Sequence, residues 1–349
     1  MQAYQPAWWL PNGHCQTLWA ALLRRTPGVT TRHEHLELPD GDFLDLRWTP
    51  GSAGPIVIVL HGLEGCIEST YIQGILSALE HRGWRGVLMH FRNCGKTPNR
   101  LPQSYHAGAT SDLAYLVDLL KEREPHTLLA VLGYSLGGNV LLKWLGETKK
   151  APVKAAVAVS VPFELEKAMS RLERGFSRLY HWHFLRLLRR SARRKFETLP
   201  PPHPPASIRA MQSIREFDDK ITAPLHGFRN VHHYYSVSSC RQYLKNITVP
   251  TLLIHAQDDP FMSPEAIPEP EEISIQTEME IFEKGGHVGF ITGNWPWRSC
   301  SWLEKRIPQF FSKYLEGPPS HVRGSDSVKT EAKRNYPNSI FDGWNKTQG

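Results

Sequence analysis

Gly133-Tyr134-Ser135-Leu136-Gly137 spells G-x-S-x-G, and it lies between the apolar run 127–132 and the helix-forming stretch 138–145. A strand that turns sharply into a helix at a serine forces unusual backbone angles there, and the flanking glycines let neighbouring backbone approach closely. The same five residues can also be an ordinary glycine-rich turn. The strand and helix signals on either side favour an exposed, nucleophilic Ser135.

Outward from this turn, short apolar runs alternate with helical stretches, as a mostly parallel sheet with helices on both faces requires. The predicted strands are 33–38, 43–48, 56–60, 86–90, 128–132, 153–161, 251–255 and 278–282. The predicted helices are 71–82, 111–122, 138–145 and 302–315. The first two strands form a predicted hairpin. The sequence therefore predicts an α/β fold.

The interval from about 163 to 245 breaks this alternation, because it is long, helical and basic, and Pro200-Pro201-Pro202 interrupts it. An inserted helical lid between two core strands explains such an interval. We therefore expect one domain over residues 1–316 that carries this lid. The segment 317–349 is polar with few apolar residues, which predicts a disordered tail.

The net charge of +7 is unevenly spread, since the stretch 171–195 holds nine cationic residues and one acid, Glu173. Apolar residues recur in it at helical spacing, which predicts a basic amphipathic helix or a pair of helices. Its cationic face is either a solvated surface over a packed apolar stripe or a contact for a membrane surface or an anionic acyl substrate. No nucleic-acid-binding signature accompanies the charge, so no nucleic-acid partner is predicted.

The cysteines are odd in number, widely spaced and without a C-x-x-C pair, so neither a disulfide framework nor a zinc site is indicated. They are Cys15, Cys66, Cys94, Cys240 and Cys300. No metal or organic cofactor is expected. The N-terminus has no signal-peptide pattern, and no stretch approaches the length of a membrane-spanning helix. These features predict a cytoplasmic protein, and no pattern indicates an oligomeric state.

A serine hydroxyl needs a base to take its proton, and that base needs an orienting carboxylate. The turn after strand 251–255 carries Asp258 and Asp259, and the glycine-flanked loop after strand 278–282 carries His287. The carboxyl ends of strands are where α/β sheets build their sites. We predict Ser135 as nucleophile, His287 as general base and Asp259 as orienting acid. Asp258 remains an alternative, because one turn holds both carboxylates.

The tetrahedral intermediate of acyl transfer needs an anion site made of backbone N–H groups. His61-Gly62-Leu63-Glu64-Gly65 follows strand 56–60, in the place where such a loop belongs. The N–H groups of Leu63 and Leu136 are the predicted donors. The alternative is that these glycines only make a tight turn between a strand and a helix.

Seven segments, taken together and in order, resemble the YheT-like α/β-hydrolases, with the likeness running from about residue 11 to 315. They are Pro11–Thr17, Leu38–Asp42, His61–Gly65, His90–Cys94, Gly133–Asn139, Asp258–Phe261 and Gly286–Phe290. The resemblance implies an α/β-hydrolase fold, a triad of Ser135, Asp259 and His287, and carboxylesterase- or lipase-like activity. Eukaryotic members of the group are described as acting on phospholipids or acylglycerols.

One segment departs from the pattern of related acyltransferases. An H-x4-D motif that begins at His106 would need an aspartate where Ser111 stands, and the aspartate comes one residue later, at Asp112. This spacing speaks against acyltransferase activity.

The sequence as a whole predicts a serine hydrolase that cleaves carboxylic esters through an acyl-enzyme, with water as the acceptor. The aromatic and leucine content of the predicted lid favours an ester or lipid substrate with an acyl chain. Two alternatives stay open: acyl transfer to another acceptor by the same triad, and a non-catalytic scaffold that binds a ligand or a membrane.

Overall fold

A central sheet of eight strands organises the molecule in a computed structural model that describes residues 3–316. The strands are β1 (Arg32–Glu37), β2 (Phe43–Trp48), β3 (Ile56–Leu60), β4 (Arg85–Met89), β5 (Leu129–Tyr134), β6 (Ala155–Val159), β7 (Thr251–Ala256) and β8 (Thr277–Phe282). Their order in the sheet is β1-β2-β4-β3-β5-β6-β7-β8, and β2 alone among these strands runs against the others. All eight predicted strands are confirmed, with ends shifted by at most two residues.

The central strands are apolar along their whole length because both of their faces are covered. Ile56, Ile58 and Leu60 of β3 face one apolar core, and the alternate residues Val57 and Val59 face another. All five side chains are fully buried. This two-sided burial keeps the strand register fixed and places the carboxyl ends of β3, β5, β6, β7 and β8 along one edge of the sheet.

Eleven α-helices surround the sheet in the described part of the chain. They are α1 (Gly13–Leu18), α2 (Thr70–His81), α3 (Ser111–Arg123), α4 (Leu136–Glu147), α5 (Leu165–Leu172), α6 (Arg178–Lys195), α7 (Pro205–Ala210), α8 (Ile214–Phe217), α9 (Ala223–Leu225), α10 (Val231–Ser238) and α11 (Leu303–Leu315). Helices α2 and α11 contribute to one core, and α3 and α4 contribute to the other. The mostly parallel sheet with helices on both faces is thereby confirmed.

The chain between β6 and β7 forms an insertion that holds α5 to α10. The predicted basic helix is a pair, α5 and α6, separated by a short 3-10 turn whose Gly175 has a φ of +54°. Leu185 and Leu188 of α6 pack with Ile208, Ile214 and Phe217 in an apolar cluster of the insertion itself. The insertion occupies the interval for which a lid is predicted, and its role as a lid stays a prediction.

Short irregular elements complete the chain. A two-stranded ribbon is formed by β9 (Ile291–Thr292) and β10 (Cys300–Ser301). π-helical turns lie at Trp19–Leu23 and Asp218–Thr222, and 3-10 turns at Cys240–Asn246, Pro264–Ala266, Pro270–Glu272 and Pro296–Arg298. The tail 317–349, predicted to be disordered, lies outside the described residues. Within residues 3–316, no helix combines the length and the apolarity that a bilayer crossing requires.

Candidate active site

Ser135 lies at the turn between β5 and α4, with φ 51° and ψ −121°. Its N–H donates a 2.8 Å hydrogen bond to the carbonyl of Val159, which ties the turn to β6. A Cβ at Gly133 would lie 2.5 Å from the carbonyl oxygen of Gly137, and one at Gly137 would lie 2.5 Å from that of His61. Both glycines are therefore required by close backbone contacts.

The loop after β8 brings His287 to this serine. The imidazole Nε2 lies 2.9 Å from Ser135 Oγ, and Nδ1 lies 2.8 Å from Asp259 Oδ2. Asp259 and His287 are buried, whereas Ser135 is half-buried and lines a cavity. The structure thus brings together the three side chains that the sequence singles out, in an unbroken chain of hydrogen bonds.

The two neighbouring aspartates have different partners. Asp259 contacts the imidazole through one oxygen and accepts the Phe261 N–H with the other, at 2.8 Å. Asp258 instead accepts the N–H of Gly286 at 2.8 Å, on the loop that leads to His287. Burial raises the pKa of Asp258, because a low-polarity environment disfavours the charged carboxylate. Of the two carboxylates, Asp259 is the one that contacts the His287 ring.

The N-terminal segment supports the same loop from the other side. Thr17 Oγ1 accepts the His287 N–H at 2.9 Å and donates to the carbonyl of Gly13 at 2.7 Å. A Cβ at Gly13 would lie 1.9 Å from the carbonyl oxygen of Asp258, so that only glycine fits against this turn. Sequence reasoning from chemistry missed this contact. Its signal was the segment Pro11–Thr17, which stood out only through the family resemblance.

Phe261 covers one face of the imidazole. Its ring stacks on that of His287 with centroids 3.9 Å apart and an interplanar angle of 19°. On the following residue, the Val288 N–H donates to Ser160 Oγ at 3.0 Å. The ring of His287 is therefore held by its backbone, by Asp259 and by an aromatic face, which favours one orientation toward Ser135.

Two tyrosine hydroxyls hold the loop after β3. The N–H of Gly62 donates to the Tyr71 hydroxyl at 3.0 Å, and the N–H of Glu64 donates to the Tyr105 hydroxyl at 2.9 Å. Between them, the N–H of Leu63 has no acceptor among residues 3–316, and the same is true of the Leu136 N–H. The predicted donors therefore remain available to an oxygen bound beside Ser135.

His61 anchors this loop from beneath. Its Nδ1–H donates to the carbonyl of Gly62 at 2.6 Å, and Nε2 accepts the Phe91 N–H at 3.1 Å. Burial lowers the pKa of His61 to about 3, so the ring is neutral near pH 7 and can use one nitrogen as donor and the other as acceptor. The sequence marked this residue only as part of the loop, not as its anchor.

An apolar cavity of about 400 Å³ opens at Ser135 and His287. Its walls come from the N-terminal segment, the loop after β3 and helix α6 of the insertion. The apolar side chains that line it include Leu18, Leu22, Leu179, Trp182, Phe184, Leu187 and Phe261. A smaller cavity of about 80 Å³ lies beside Leu63 and Leu136, and Glu64, Asn93 and Lys195 give it a more polar lining.

The residues of the broken H-x4-D motif have other partners. The His106 ring packs against that of His226 with centroids 4.5 Å apart, and Asp112 accepts two hydrogen bonds from Arg92, at 2.7 and 2.8 Å. In the described part of the chain, neither bonds to Ser135 or His287. These contacts give His106 and Asp112 structural roles in the fold.

One cluster within residues 3–316 has the spacing of a metal site. His33, His35 and Asp45 each offer a ligand atom within 4.8 Å of the others. These residues lie on β1 and β2, at the sheet edge away from Ser135, and Asp45 already pairs with His33 and Arg47 at 3.0 and 3.3 Å. Asp45 therefore already has partners within the protein, the His33 ring and the Arg47 guanidinium.

Comparisons with known proteins agree with this fold. Residues 55–294 match the sequence profile of the alpha/beta hydrolase fold. The chain belongs to this family of α/β-hydrolases, and the resemblance to the YheT-like group is confirmed. It is 45% identical over 312 residues to "Putative esterase YheT" of Escherichia coli K12, covering 87% of this chain and 92% of that protein.

More distant relatives share most of the chain. The sequence is 28% identical to mouse "Phospholipase ABHD3" over 327 residues, which cover 90% of this chain and 79% of that protein. Among solved structures, the Pyrococcus furiosus esterase Pf2001 superposes with a TM-score of 0.55 at 17% identity, covering 83% of this chain and 100% of that one. The last comparison shows the fold alone.

Proposed function

We propose that this protein is a serine hydrolase that cleaves carboxylic esters carrying an acyl chain. The observation that carries the proposal is the hydrogen-bonded series Asp259, His287 and Ser135 at an apolar cavity. Relatives that are named as an esterase and a phospholipase support the same reaction class. The substrate enters with its acyl chain in the cavity and its carbonyl carbon beside Ser135 Oγ.

In the first step, His287 Nε2 takes the Ser135 hydroxyl proton as Oγ attacks the ester carbonyl. The carbonyl oxygen becomes an oxyanion, which accepts hydrogen bonds from the N–H groups of Leu63 and Leu136. Removing one such donor typically costs about 100- to 1,000-fold in rate. The tyrosine and histidine contacts that hold the loop therefore support the reaction without touching the substrate.

His287 then gives its proton to the leaving alcohol, and the acyl group stays on Ser135 as an ester. A water molecule enters, loses a proton to the same nitrogen and attacks the acyl-enzyme, which releases the carboxylic acid and restores the serine hydroxyl. Asp259 keeps Nδ1–H as the donor throughout and stabilises the protonated imidazole. The ester and one water molecule account for every atom of the products, so the reaction needs no further reactant.

The insertion acts as the lid in this proposal, because α6 supplies one wall of the cavity. Each methylene that leaves water for an apolar wall contributes about 0.8 kcal/mol, so a cavity of this kind favours longer acyl chains over acetyl groups. Leu187 lies on that wall. Leu187→Trp is expected to lower kcat/KM for octanoyl esters at least tenfold and for acetyl esters less than threefold, with Leu187→Met as the volume-conserving control. Equal losses on both esters would contradict the assignment of the wall.

The reaction class is tested with a fluorophosphonate probe, because such probes label activated serines without knowledge of the substrate. The expected result is one labelled peptide that contains Ser135 and no label in the Ser135→Ala variant. A series of p-nitrophenyl esters from acetyl to decanoyl then measures chain-length preference. Absence of label, with no hydrolysis of any ester in the series, would favour a non-catalytic scaffold.

Transfer to an alcohol instead of water is a second candidate, and the observation that favours it is the small cavity beside Leu63 and Leu136, whose mostly apolar lining includes Glu64, Asn93 and Lys195. Product analysis with added glycerol or short alcohols separates the two reactions. A new ester that replaces the free acid as the main product would identify a transferase.

A further inference from the structure

The opening of the Ser135 cavity has large apolar side chains on its outer surface. Leu22 is 72% exposed, Leu179 51% and Trp182 55%, and all three also line the cavity. They come from two separate parts of the chain, the N-terminal π-helical turn and α6. Large apolar side chains grouped on a monomer surface are characteristic of interaction sites. We call these three residues the apolar rim.

Helix α6 continues from this rim as a row of arginines. Arg186, Arg190 and Arg193 follow Trp182 at spacings of four, four and three, which places them on one exposed side of the helix. The guanidinium of Arg186 lies over the Trp182 ring, 5.8 Å from its centroid. We call these three residues the arginine face.

The arginine face has no ion-pair partner in the part of the chain that the structure describes, although other arginines of the insertion do, such as Arg215 with Glu166 and Arg241 with Glu272. The three arginines line an open groove of about 630 Å³ together with Arg189, Arg194 and Arg209, and Glu197 is its one acid. The groove is therefore strongly cationic.

The exposed side of α6 is not needed to pack the insertion. Leu185, Leu188 and Ala192 point the other way and are buried in the insertion's own apolar cluster. The helix therefore has a packed side that holds the fold and an outer side that is apolar at one end and cationic at the other. An outer side of this kind suits the interface of a bilayer, where apolar side chains enter the acyl region and arginines meet anionic headgroups.

We propose that the apolar rim and the arginine face dock the protein on an anionic lipid bilayer, with the cavity opening against the lipid. The partner follows from charge complementarity, since the groove carries six arginines and one acid. This inference rests on the proposed function and deepens it. Docking would let the cavity receive an acyl chain directly from the bilayer, without passing it through water.

Vesicle sedimentation with the full chain tests the docking. One set of vesicles is phosphatidylcholine alone, and the other contains phosphatidylcholine and phosphatidylglycerol in equal parts. We expect sedimentation with the anionic vesicles only, weakening with added salt because screening shortens the reach of the arginines. Each basic residue near an anionic leaflet contributes about fivefold in binding. R190E/R193E is therefore expected to lower the partition coefficient by about 25-fold or more.

The matched control is K149E/K150E, which makes the same change in net charge on an exposed pair beyond the end of α4, near the amino ends of the central strands. It is expected to bind anionic vesicles within about threefold of the unmodified chain, because the charge lies away from the docking face. Leu22→Ser, at the rim, is expected to weaken binding to the same vesicles without changing its salt dependence. Equal binding to both vesicle types, or equal losses in the two double variants, would overturn the proposal.

Hydrolysis of a soluble acetyl ester is measured in parallel. R190E/R193E is expected to retain it, since neither arginine lines the Ser135 cavity. The two hypotheses then fail separately: vesicle binding without ester hydrolysis contradicts the proposed function, and hydrolysis without anion-dependent vesicle binding contradicts the docking.

Discussion

The loops at the carboxyl ends of the strands and the insertion between β6 and β7 are held together by different means. In the loops, Ser135, Ser160 and Val288 have positive φ angles of 51°, 52° and 55°, and hydrogen bonds fix the backbone near Ser135 and His287. In the insertion, regular amphipathic helices pack through leucine and isoleucine side chains. Positive φ at non-glycine residues costs about 1–3 kcal/mol each, so it persists only where the surroundings demand it.

The difference separates two tasks that one enzyme needs. The proposed reaction needs a serine, a base and an oxyanion placed to within a fraction of an ångström, a task that suits strained, hydrogen-bonded loops. An acyl chain needs only an apolar wall of the right size, which packed helices provide. Substitutions in the two regions are therefore expected to differ in kind: loss of rate at the loops, and altered specificity or stability in the insertion.

The largest expected effect is at Ser135. Ser135→Ala removes the nucleophile and should lower kcat on the order of 10⁶-fold, which initial rates with an acetyl ester measure. Activity within tenfold of the unmodified chain would show that another residue attacks the ester.

Replacement by glycine, compared with replacement by alanine, should change stability in opposite directions in the two regions. Ser135→Gly relieves the positive φ and is expected to be about 1 kcal/mol more stable than Ser135→Ala, although equally inactive. Arg190→Gly, inside α6, should be about 1 kcal/mol less stable than Arg190→Ala. Urea unfolding of the four variants measures both differences, and the same sign at both positions would remove the contrast between strained loop and relaxed helix.

The next largest effect distinguishes the neighbouring aspartates. Asp259→Asn should lower kcat about 10⁴-fold, because the amide favours the wrong tautomer of His287. Asp258→Asn keeps an oxygen for the Gly286 N–H and should lose less than about tenfold. Steady-state kinetics of the pair decide the assignment, which is reversed if Asp258→Asn loses more than Asp259→Asn.

Removing one tyrosine hydroxyl in each region compares the loss of one hydrogen bond in the loops with the loss of one in the insertion. Tyr71→Phe removes the acceptor of the Gly62 N–H, and Tyr243→Phe removes a donor to the carbonyl of Val237 in the insertion. Each should lose about 1 kcal/mol of unfolding free energy. Only Tyr71→Phe should lose rate, about tenfold in kcat, since it loosens the oxyanion loop. A rate loss shared by both variants would mean that stability alone limits activity.

The smallest expected effect on rate is at Asp218 of the insertion, which accepts the hydroxyl hydrogens of Thr222 and Tyr235 at 2.7 and 2.8 Å. Burial raises its pKa from 3.8 to about 6, so the folded state binds the proton more tightly, and stability falls as pH rises from about 3.8 to about 6. Asp218→Asn should therefore stabilise the protein at pH 8, by about 1 kcal/mol since the residue is partly exposed, and less at pH 5. Urea unfolding at both pH values measures this, with activity expected to change less than threefold. A larger gain in unfolding free energy at pH 5 than at pH 8 would contradict a raised pKa at Asp218.

The sheet and the serine turn could be predicted because their signals are local. A run such as Ile56–Leu60 is apolar throughout since both faces are covered, and the glycines at 133 and 137 mark the place where backbone atoms crowd. Helix α4 begins at Leu136, two residues earlier than predicted, because Ser135 itself is the residue that precedes the first helical turn.

Other parts of the site depend on contacts between distant segments. The loop of Gly286 and His287 determines which groups the side chains of Asp258 and Asp259 contact, and it lies almost thirty positions later in the chain. Tyr71 and Tyr105 reach the oxyanion loop from a helix and from a later connection, and no spacing rule joins them to Gly62. The residues with chemistry were predicted, whereas most of those that hold them in place were not, and the catalytic roles themselves stay predictions.

The contact between Thr17 and His287 spans 270 positions. On the ribosome, the serine turn leaves the exit tunnel far ahead of the loop that carries its base, and the segment that supports this loop has emerged before either. A chain that ends before residue 287 therefore has Ser135 without His287, and one that starts after Thr17 has the His287 loop without its N-terminal support. The proposed triad is complete and supported only when both the first and the last parts of the chain have been synthesised.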